Sequence, residues 1–86
     1  AFVYARSGLG IKHGISLSNG VGVIDSDYRG EICVGLINTS SEDYTIQPGE
    51  RIAQLVLAPV ILAQPVEVDS LDETERGEGG FGSTGR

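Results

Sequence analysis

The sequence predicts an all-β fold, as one small domain of 86 residues or part of one. Glycine is abundant at 13 residues, the apolar runs favour Val and Ile over good helix formers, and turn residues separate the runs. So short a chain buries a modest core and needs a staple or a partner chain. The lone Cys33 allows neither an internal disulfide nor a Cys-based zinc site, and it suits a reducing cytoplasm.

The first twenty residues predict short strands joined by polar turns. Residues 1–6 predict a strand, and residues 6–10 predict a surface turn of small residues with one cation. Residues 12–14 predict a polar turn that holds the only histidine as a solvated group. Residues 15–17 predict another strand, and residues 18–20 (Ser-Asn-Gly) predict a turn, because Asn and Gly tolerate positive φ.

Residues 20–31 are the most informative stretch. The apolar run 21–24 predicts a buried strand that ends at Asp25. Gly30 is expected to supply the backbone freedom for the turn into the next strand. An acid at the end of a strand, with Tyr28 three residues later, is a candidate site. An ordinary hairpin has the same pattern, so this stretch alone leaves both interpretations open.

The second half predicts longer strands. Residues 31–38 place apolar groups on both faces, which predicts a central strand with Cys33 packed in the core. Residues 51–60 form the longest predicted strand. Its polar Gln54 is expected to point into a pocket or an interface or, more simply, to be satisfied by neighbouring backbone. Further predicted elements are short strands at 44–46 and 61–68 and a turn at 47–50.

The composition changes after the β domain predicted for residues 1–68. Residues 67–86 carry six acids and two bases, net −4 of the chain's −6, which disfavours nucleic acid as a partner. No apolar run is long enough to span a membrane. Residues 69–86 predict an acidic linker and a flexible Gly-rich tail whose amides could wrap phosphates. Phe81 cannot be core there, so it is idle or stacks on a flat group.

Four segments occur in order and in register along the chain. They are residues 6–10 (Arg-Ser-Gly-Leu-Gly), 22–31 (Gly-Val-Ile-Asp-Ser-Asp-Tyr-Arg-Gly-Glu), 49–54 (Gly-Glu-Arg-Ile-Ala-Gln) and 76–85 (Arg-Gly-Glu-Gly-Gly-Phe-Gly-Ser-Thr-Gly). Together they closely resemble motifs two to five of the trimeric dUTPase (deoxyuridine triphosphate nucleotidohydrolase) family. The resemblance implies a jelly-roll-like β fold (β-clip) and a homotrimer with active sites at subunit interfaces. It also implies Mg²⁺-assisted hydrolysis of dUTP to dUMP and pyrophosphate. This reaction would remove dUTP from the nucleotide pool and supply dUMP for dTTP synthesis.

The resemblance also assigns roles to single residues. Asp25 matches the base that activates water for attack on the α-phosphate, and Tyr28 matches the residue that packs on deoxyribose and excludes a 2′-hydroxyl. The backbone of residues 19–25 would read uracil, and Phe81 would stack on it. The remaining matches are uracil-reading Asn19, Val23 and Ile24; phosphate-binding Arg6, Ser7, Gly8, Arg76, Gly82, Ser83 and Thr84; and supporting Arg51 and Gln54.

The family's first motif, with the aspartate that serves the metal, has no match in the chain. Nothing before Ala1 caps or turns into the first strand, so we expect an N-terminally incomplete domain without a metal ligand. Two alternatives stay open. The related dCTP deaminases share the fold and the trimer, and a non-catalytic trimeric remnant could bind nucleotide without turning it over.

Overall fold

A computed structural model describes residues 1–85, and Arg86, the end of the predicted tail, lies outside the described residues. The elements are β1 (Phe2–Ala5), α1 (Ser7–His13), β2 (Ile15–Leu17), β3 (Gly22–Val23), β4 (Leu36–Asn38) and β5 (Ala53–Val56). They form two antiparallel sheets, one with the order β3-β1-β5 and one pairing β2 with β4. The predicted all-β class is confirmed, with one short helix in addition.

Strand β1 is the centre of the larger sheet. Phe2 pairs with Val23 on one side and Val3 with Leu55 on the other. The Gln54 amide nitrogen Nε2 donates to the Ala5 carbonyl oxygen at 2.9 Å. This bond confirms the prediction that neighbouring backbone satisfies Gln54, and it fixes the end of β1.

Helix α1 replaces the turns predicted at residues 6–10 and 12–14, and both predictions are wrong. Glycine disfavours a helix, but two features outweigh that preference here. Leu9 is buried, so the helix gains the free energy of removing an apolar side chain from water. Gly14 ends the helix in the left-handed region with φ of 70°, and its N–H donates to the Gly10 carbonyl oxygen at 3.1 Å.

Strand β2 lies directly after this cap and contacts both α1 and β1. The Thr39 N–H and hydroxyl donate to the Gly14 carbonyl oxygen at 2.8 and 3.0 Å, which holds β4 against the start of β2. Among the described residues, the buried apolar side chains come from β1, α1 and β2. They are Val3, Leu9, Ile15 and Leu17.

The remaining strands are shorter and more exposed than predicted. The run 21–24 is a strand only at Gly22–Val23, and Val23 is 68% exposed, so its predicted burial is wrong. Cys33 is also exposed, so its predicted place in the core is wrong. The predicted strands shrink to β4 within 31–38 and to β5 within 51–60, and those at 44–46 and 61–68 are not formed within residues 1–85.

Missing cross-strand partners explain these differences. A strand is stable only when its backbone groups pair with a neighbour and its apolar face is covered. The apolar side chains of residues 57–68, such as Leu57, Ile61 and Leu62, lie exposed instead. The turns predicted at residues 18–20 and 47–50 need no such partner and are confirmed: residues 18–20 turn, and the Glu50 N–H donates to the Gln47 carbonyl oxygen at 3.1 Å.

The described chain is far more open than a folded monomer of its length. Its radius of gyration is 19.0 Å, whereas a compact domain of this length has about 12 Å. Its accessible surface is 7935 Å², against about 4,900 Å² for such a domain. Within the described part of the chain, no helix is long and apolar enough to cross a membrane.

Candidate functional site

A cleft of about 300 Å³ lies where the open edge of β3 meets the loop after it. The cleft brings together residues that the sequence analysis assigned to one site. They are Asn19, Val23, Ile24, Asp25 and Tyr28.

The position of β3 in the sheet fixes which backbone groups face this cleft. The Ile24 N–H donates to the Ala1 carbonyl oxygen at 2.8 Å, and the Ala1 nitrogen donates to the Ile24 carbonyl oxygen at 2.9 Å. In an antiparallel pair such hydrogen-bonded positions alternate with positions whose polar groups point outward. Phe2 and Val23 form the next pair, so the N–H and C=O of Val23 point to the open edge of the sheet.

The loop after β3 is closed by its own hydrogen bonds. The Tyr28 N–H donates to the Asp25 carbonyl oxygen at 3.1 Å, and the Tyr28 hydroxyl donates to the Glu31 carbonyl oxygen at 2.7 Å. The Arg29 guanidinium donates to the carbonyl oxygens of Ser26 and Tyr28, each at 3.0 Å. The Asp25 carboxylate and the Tyr28 ring, 48% exposed, are therefore presented on one preorganised loop.

Two glycines beside the cleft, Gly30 and Gly22, allow close packing. Gly30 does not have a positive φ, so its predicted role as a backbone hinge is wrong. A Cβ at Gly30 would instead lie 2.8 Å from Cε1 of Tyr28, inside any real contact distance. A Cβ at Gly22 would lie 3.1 Å from Cβ of Val3, which shows how closely β3 approaches β1.

The predicted phosphate-binding residues Arg6, Ser7 and Gly8 lie at the start of α1, outside the cleft. Arg6 is the N-cap residue with extended backbone, and its carbonyl oxygen accepts the Gly10 N–H at 3.0 Å. Ser7 and Gly8 are exposed, and the first turn carries no acidic side chain. The first amides of a helix lack partners inside the helix, so they are suited to an anion.

The predicted supporting residues Arg51 and Gln54 line a second hollow of about 350 Å³. Val3 and Ile32 line this hollow as well as the first cleft, so the two share a wall.

The predicted tail residues Arg76, Ser83 and Thr84 come together in a hollow of their own, of about 560 Å³. The Arg76 guanidinium donates from Nε to the Gly79 carbonyl oxygen at 2.7 Å and from Nη2 to that of Gly80 at 3.3 Å. This cluster does not line the Asp25 cleft of the same chain. Gly82 lies in the same stretch with φ of 76°. Phe81 is fully exposed, so the prediction that it is not in the core is confirmed.

Sequence reasoning missed a polar contact within residues 44–50, beside the end of α1. The Tyr44 hydroxyl donates to Glu50 Oε1, and the Gln47 N–H donates to Glu50 Oε2 at 3.1 Å. These two bonds, the tyrosine bond first, lower the pKa of Glu50 below its usual 4.5, and the nearby His13 acts in the same direction. The same bond raises the pKa of Tyr44 above 10.0. The His13 and Tyr44 rings lie 4.6 Å apart.

Two further polar residues of the cleft, Glu31 and Cys33, were not among the predicted site residues. The Cys33 Sγ lies 3.8 Å from both the carbonyl oxygen and Oε1 of Glu31. The available signal was their position directly after the loop that carries Asp25 and Tyr28. Within residues 1–85, no group of three or more His, Cys, Asp or Glu side chains could hold a metal ion.

The fold and the cleft together define a β protein with a candidate small-ligand site at a sheet edge. A protein-family model described as dUTPase matches residues 1–85. The chain belongs to the dUTPase family.

Curated relatives agree with this assignment. A deoxyuridine 5'-triphosphate nucleotidohydrolase of Desulfitobacterium hafniense is 61% identical over 99% of this chain and 56% of its own length. The proteins of the same name from Idiomarina loihiensis and Nautilia profundicola are 58% and 62% identical over 100% and 94% of this chain, each over 57% of their own length. The chain thus spans somewhat more than half the length of these relatives.

Proposed function

We propose that this chain supplies the active site of a dUTP diphosphatase, which hydrolyses dUTP to dUMP and pyrophosphate. One observation carries the proposal: Asp25, Tyr28 and the free backbone edge of Val23 meet in one cleft of a dUTPase-family chain. The volume of about 300 Å³ is at the lower end of what small-molecule sites occupy.

The base would be recognised by the backbone between Asn19 and Asp25. Uracil carries an N–H donor flanked by two carbonyl acceptors. The outward C=O of Val23 can accept a hydrogen bond from the uracil N–H, and the outward N–H of Val23 can donate to one of the two uracil carbonyl oxygens. The ring of Tyr28 would pack on the deoxyribose and leave no room for a 2′-hydroxyl, which would discriminate against UTP.

The chemistry requires one proton transfer and one displacement at phosphorus. Asp25 would orient a water molecule and take its proton, and the water oxygen would attack the α-phosphorus. The bond from that phosphorus to the bridging oxygen breaks, and pyrophosphate leaves. Arg6, Ser7, Gly8 and Arg76 lie outside the Asp25 cleft of their own chain. From neighbouring subunits they would supply donors that stabilise the developing charge.

The tail would act as a lid. Residues 69–86 would fold over bound substrate, with Phe81 on uracil and residues 82–84 on the γ-phosphate, and a lid of this kind excludes water from the reaction. Arg51 and Gln54 would support the site from the neighbouring hollow.

Residues 1–85 do not bring three or more His, Cys, Asp or Glu side chains together as ligands for a metal ion. Mg²⁺ is proposed as the metal on the family resemblance alone. The proposed cytoplasmic location likewise depends on the lone Cys33 alone.

We propose a homotrimer with active sites between subunits. The open shape of the chain and its exposed apolar segment 57–68 support an assembly that covers this surface. The separation of the Arg76 hollow from the Asp25 cleft supports sites completed by a tail from another chain. Native mass spectrometry would show a mass of three chains if this is correct.

The activity is tested by measuring pyrophosphate release from dUTP. The assay uses this chain beside an N-terminally extended form of the length of its relatives. We expect turnover of dUTP and none of dCTP. Ammonia release from dCTP would favour a deaminase instead, and nucleotide binding without turnover in both forms would indicate a non-catalytic protein.

A further inference from the structure

We propose that Gly30 is a positioning residue that sets the ring of Tyr28 and thereby the preference for deoxyribose over ribose. The inference depends on the proposed dUTP hydrolysis, in which Tyr28 excludes the 2′-hydroxyl, and it assigns a function to a residue that does not itself touch substrate.

Space, and not backbone conformation, requires glycine at this position. Gly30 does not have the positive φ that favours glycine. A Cβ there would lie 2.8 Å from Cε1 of Tyr28, and closer still to the end of the ring. Real Cβ contacts are essentially never that short, so any larger residue at position 30 must displace something.

The ring is the part that moves. The clashing atoms belong to the far end of a side chain that is 48% exposed, so the ring can swing into solvent while the backbone stays. This movement breaks the hydrogen bond from the Tyr28 hydroxyl to the Glu31 carbonyl oxygen. The ring would then leave the wall of the cleft that also carries Asp25.

The test compares kcat/KM for dUTP and for UTP in the full-length protein and its Gly30→Ala variant. Because a misplacement of about 1 Å in a site can lower the rate about a hundredfold, we expect the dUTP/UTP ratio to fall about ten- to a hundredfold. The loss of kcat/KM for dUTP should come mainly from a rise in KM, and Tm should be nearly unchanged. Gly10→Ala is the matched control, because a Cβ at Gly10 has only an ordinary contact with the Ile15 carbonyl oxygen at 3.7 Å; it should keep the ratio.

A double-variant cycle shows whether Gly30 acts through the ring. In a Tyr28→Ala background, which has no ring to displace, Gly30→Ala should change the ratio no further. If Gly30→Ala alone fails to fold, the Tyr28→Ala, Gly30→Ala double variant should fold like Tyr28→Ala, since the clash is gone.

Three outcomes would overturn the inference. They are an unchanged ratio in Gly30→Ala, an equal effect of Gly30→Ala in the Tyr28→Ala background, and a double variant that does not fold although Tyr28→Ala does. A wild-type protein that releases no pyrophosphate from dUTP would overturn the proposed function itself, which separates the two failures.

Discussion

The side chain of Gln54 donates to the carbonyl oxygen of Ala5 at 2.9 Å and so links β5 to the residue directly before Arg6. The two strands already pair here, with Tyr4 opposite Gln54 and Ala5 opposite Ala53. The extra bond holds the point at which the chain leaves β1 and enters α1. The position of Arg6, a proposed phosphate ligand, therefore depends on a residue nearly fifty positions later.

Replacing Gln54 by Ala should lower the free energy of unfolding by about 1 kcal/mol, because a hydrogen bond of this kind contributes about that much. The KM for dUTP should also rise, since the end of β1 is less well held. Urea unfolding and steady-state kinetics measure the two effects. Gln47→Ala is the control, because its exposed side chain is free of such a bond among the described contacts. Equal effects of both substitutions would contradict this account.

Local signals in the sequence predicted the turns at residues 18–20 and 47–50, because a turn depends on a few adjacent residues. The 47–50 turn needs only Pro48 and a glycine with positive φ, and Gly49 has φ of 81°. Helix α1 was not predicted because its glycines disfavour a helix, although Lys12-His13 followed by Gly14 is a helix end signal. The burial of Leu9, which stabilises this helix, is a tertiary effect that local propensity does not contain.

Strand lengths could not be predicted from residues 1–86 alone. The run 61–68 has the composition of a strand, but within the described chain no neighbour pairs with it and its apolar side chains are exposed. The burial of Val23 and Cys33 was wrongly predicted for a related reason. Apolar character indicates that a residue tends to be buried, but it does not show which partner buries it.

The cleft was predicted in part. Asp25 and Tyr28 were predicted because motif and spacing coincide. The structure places both on one loop beside the cleft, and their roles stay predictions. The opposite case is Gly30, whose importance depends on the direction of the Tyr28 ring. Side-chain direction of this kind is not encoded in spacing. The position of the tail relative to the cleft was also not predicted from the sequence. Arg76 lies in a separate hollow.

Replacing Asp25 by Asn should lower kcat about a hundredfold to ten-thousandfold, which is the usual contribution of a general base. An amide keeps the shape of the carboxylate but cannot take the proton of water, so dUTP binding should change little. Pre-steady-state turnover and calorimetric titration with a non-hydrolysable dUTP analogue measure the two. Asp27→Asn is the control, because Asp27 is an exposed carboxylate two residues away. Full activity of the Asp25 variant would remove it as the base.

The bond between Tyr44 and Glu50 should make stability depend on pH in a defined direction. The pKa of Glu50 is lowered from 4.5, first by Tyr44 and then by the Gln47 N–H. Its contribution is therefore fully present above pH 4.5 and is lost as the pH falls through the folded-state value. The pKa of Tyr44 is raised above 10.0 by the same bond, so its contribution is lost only as the pH rises through that higher value.

Glu50→Gln should therefore remove part of the loss of stability on acidification. Urea midpoints between about pH 3 and pH 7, on either side of an ordinary glutamate pKa, measure this effect. Glu67→Gln, at an exposed position, should retain the wild-type slope. A wild-type slope in Glu50→Gln would show that the bond does not contribute in solution.

Deleting residues 76–86 should reduce turnover strongly while the proposed trimer remains assembled. The tail's described contacts are internal: Arg76 bonds to Gly79 and Gly80 of its own loop, and Phe81 is fully exposed. Removing it therefore takes away proposed phosphate and uracil contacts without removing core packing. Pyrophosphate release and native mass measure the two effects. Glu78→Gln, at an exposed position in the same segment, should leave both unchanged. If the deletion dissociates the assembly, the tail is a structural element and not a lid.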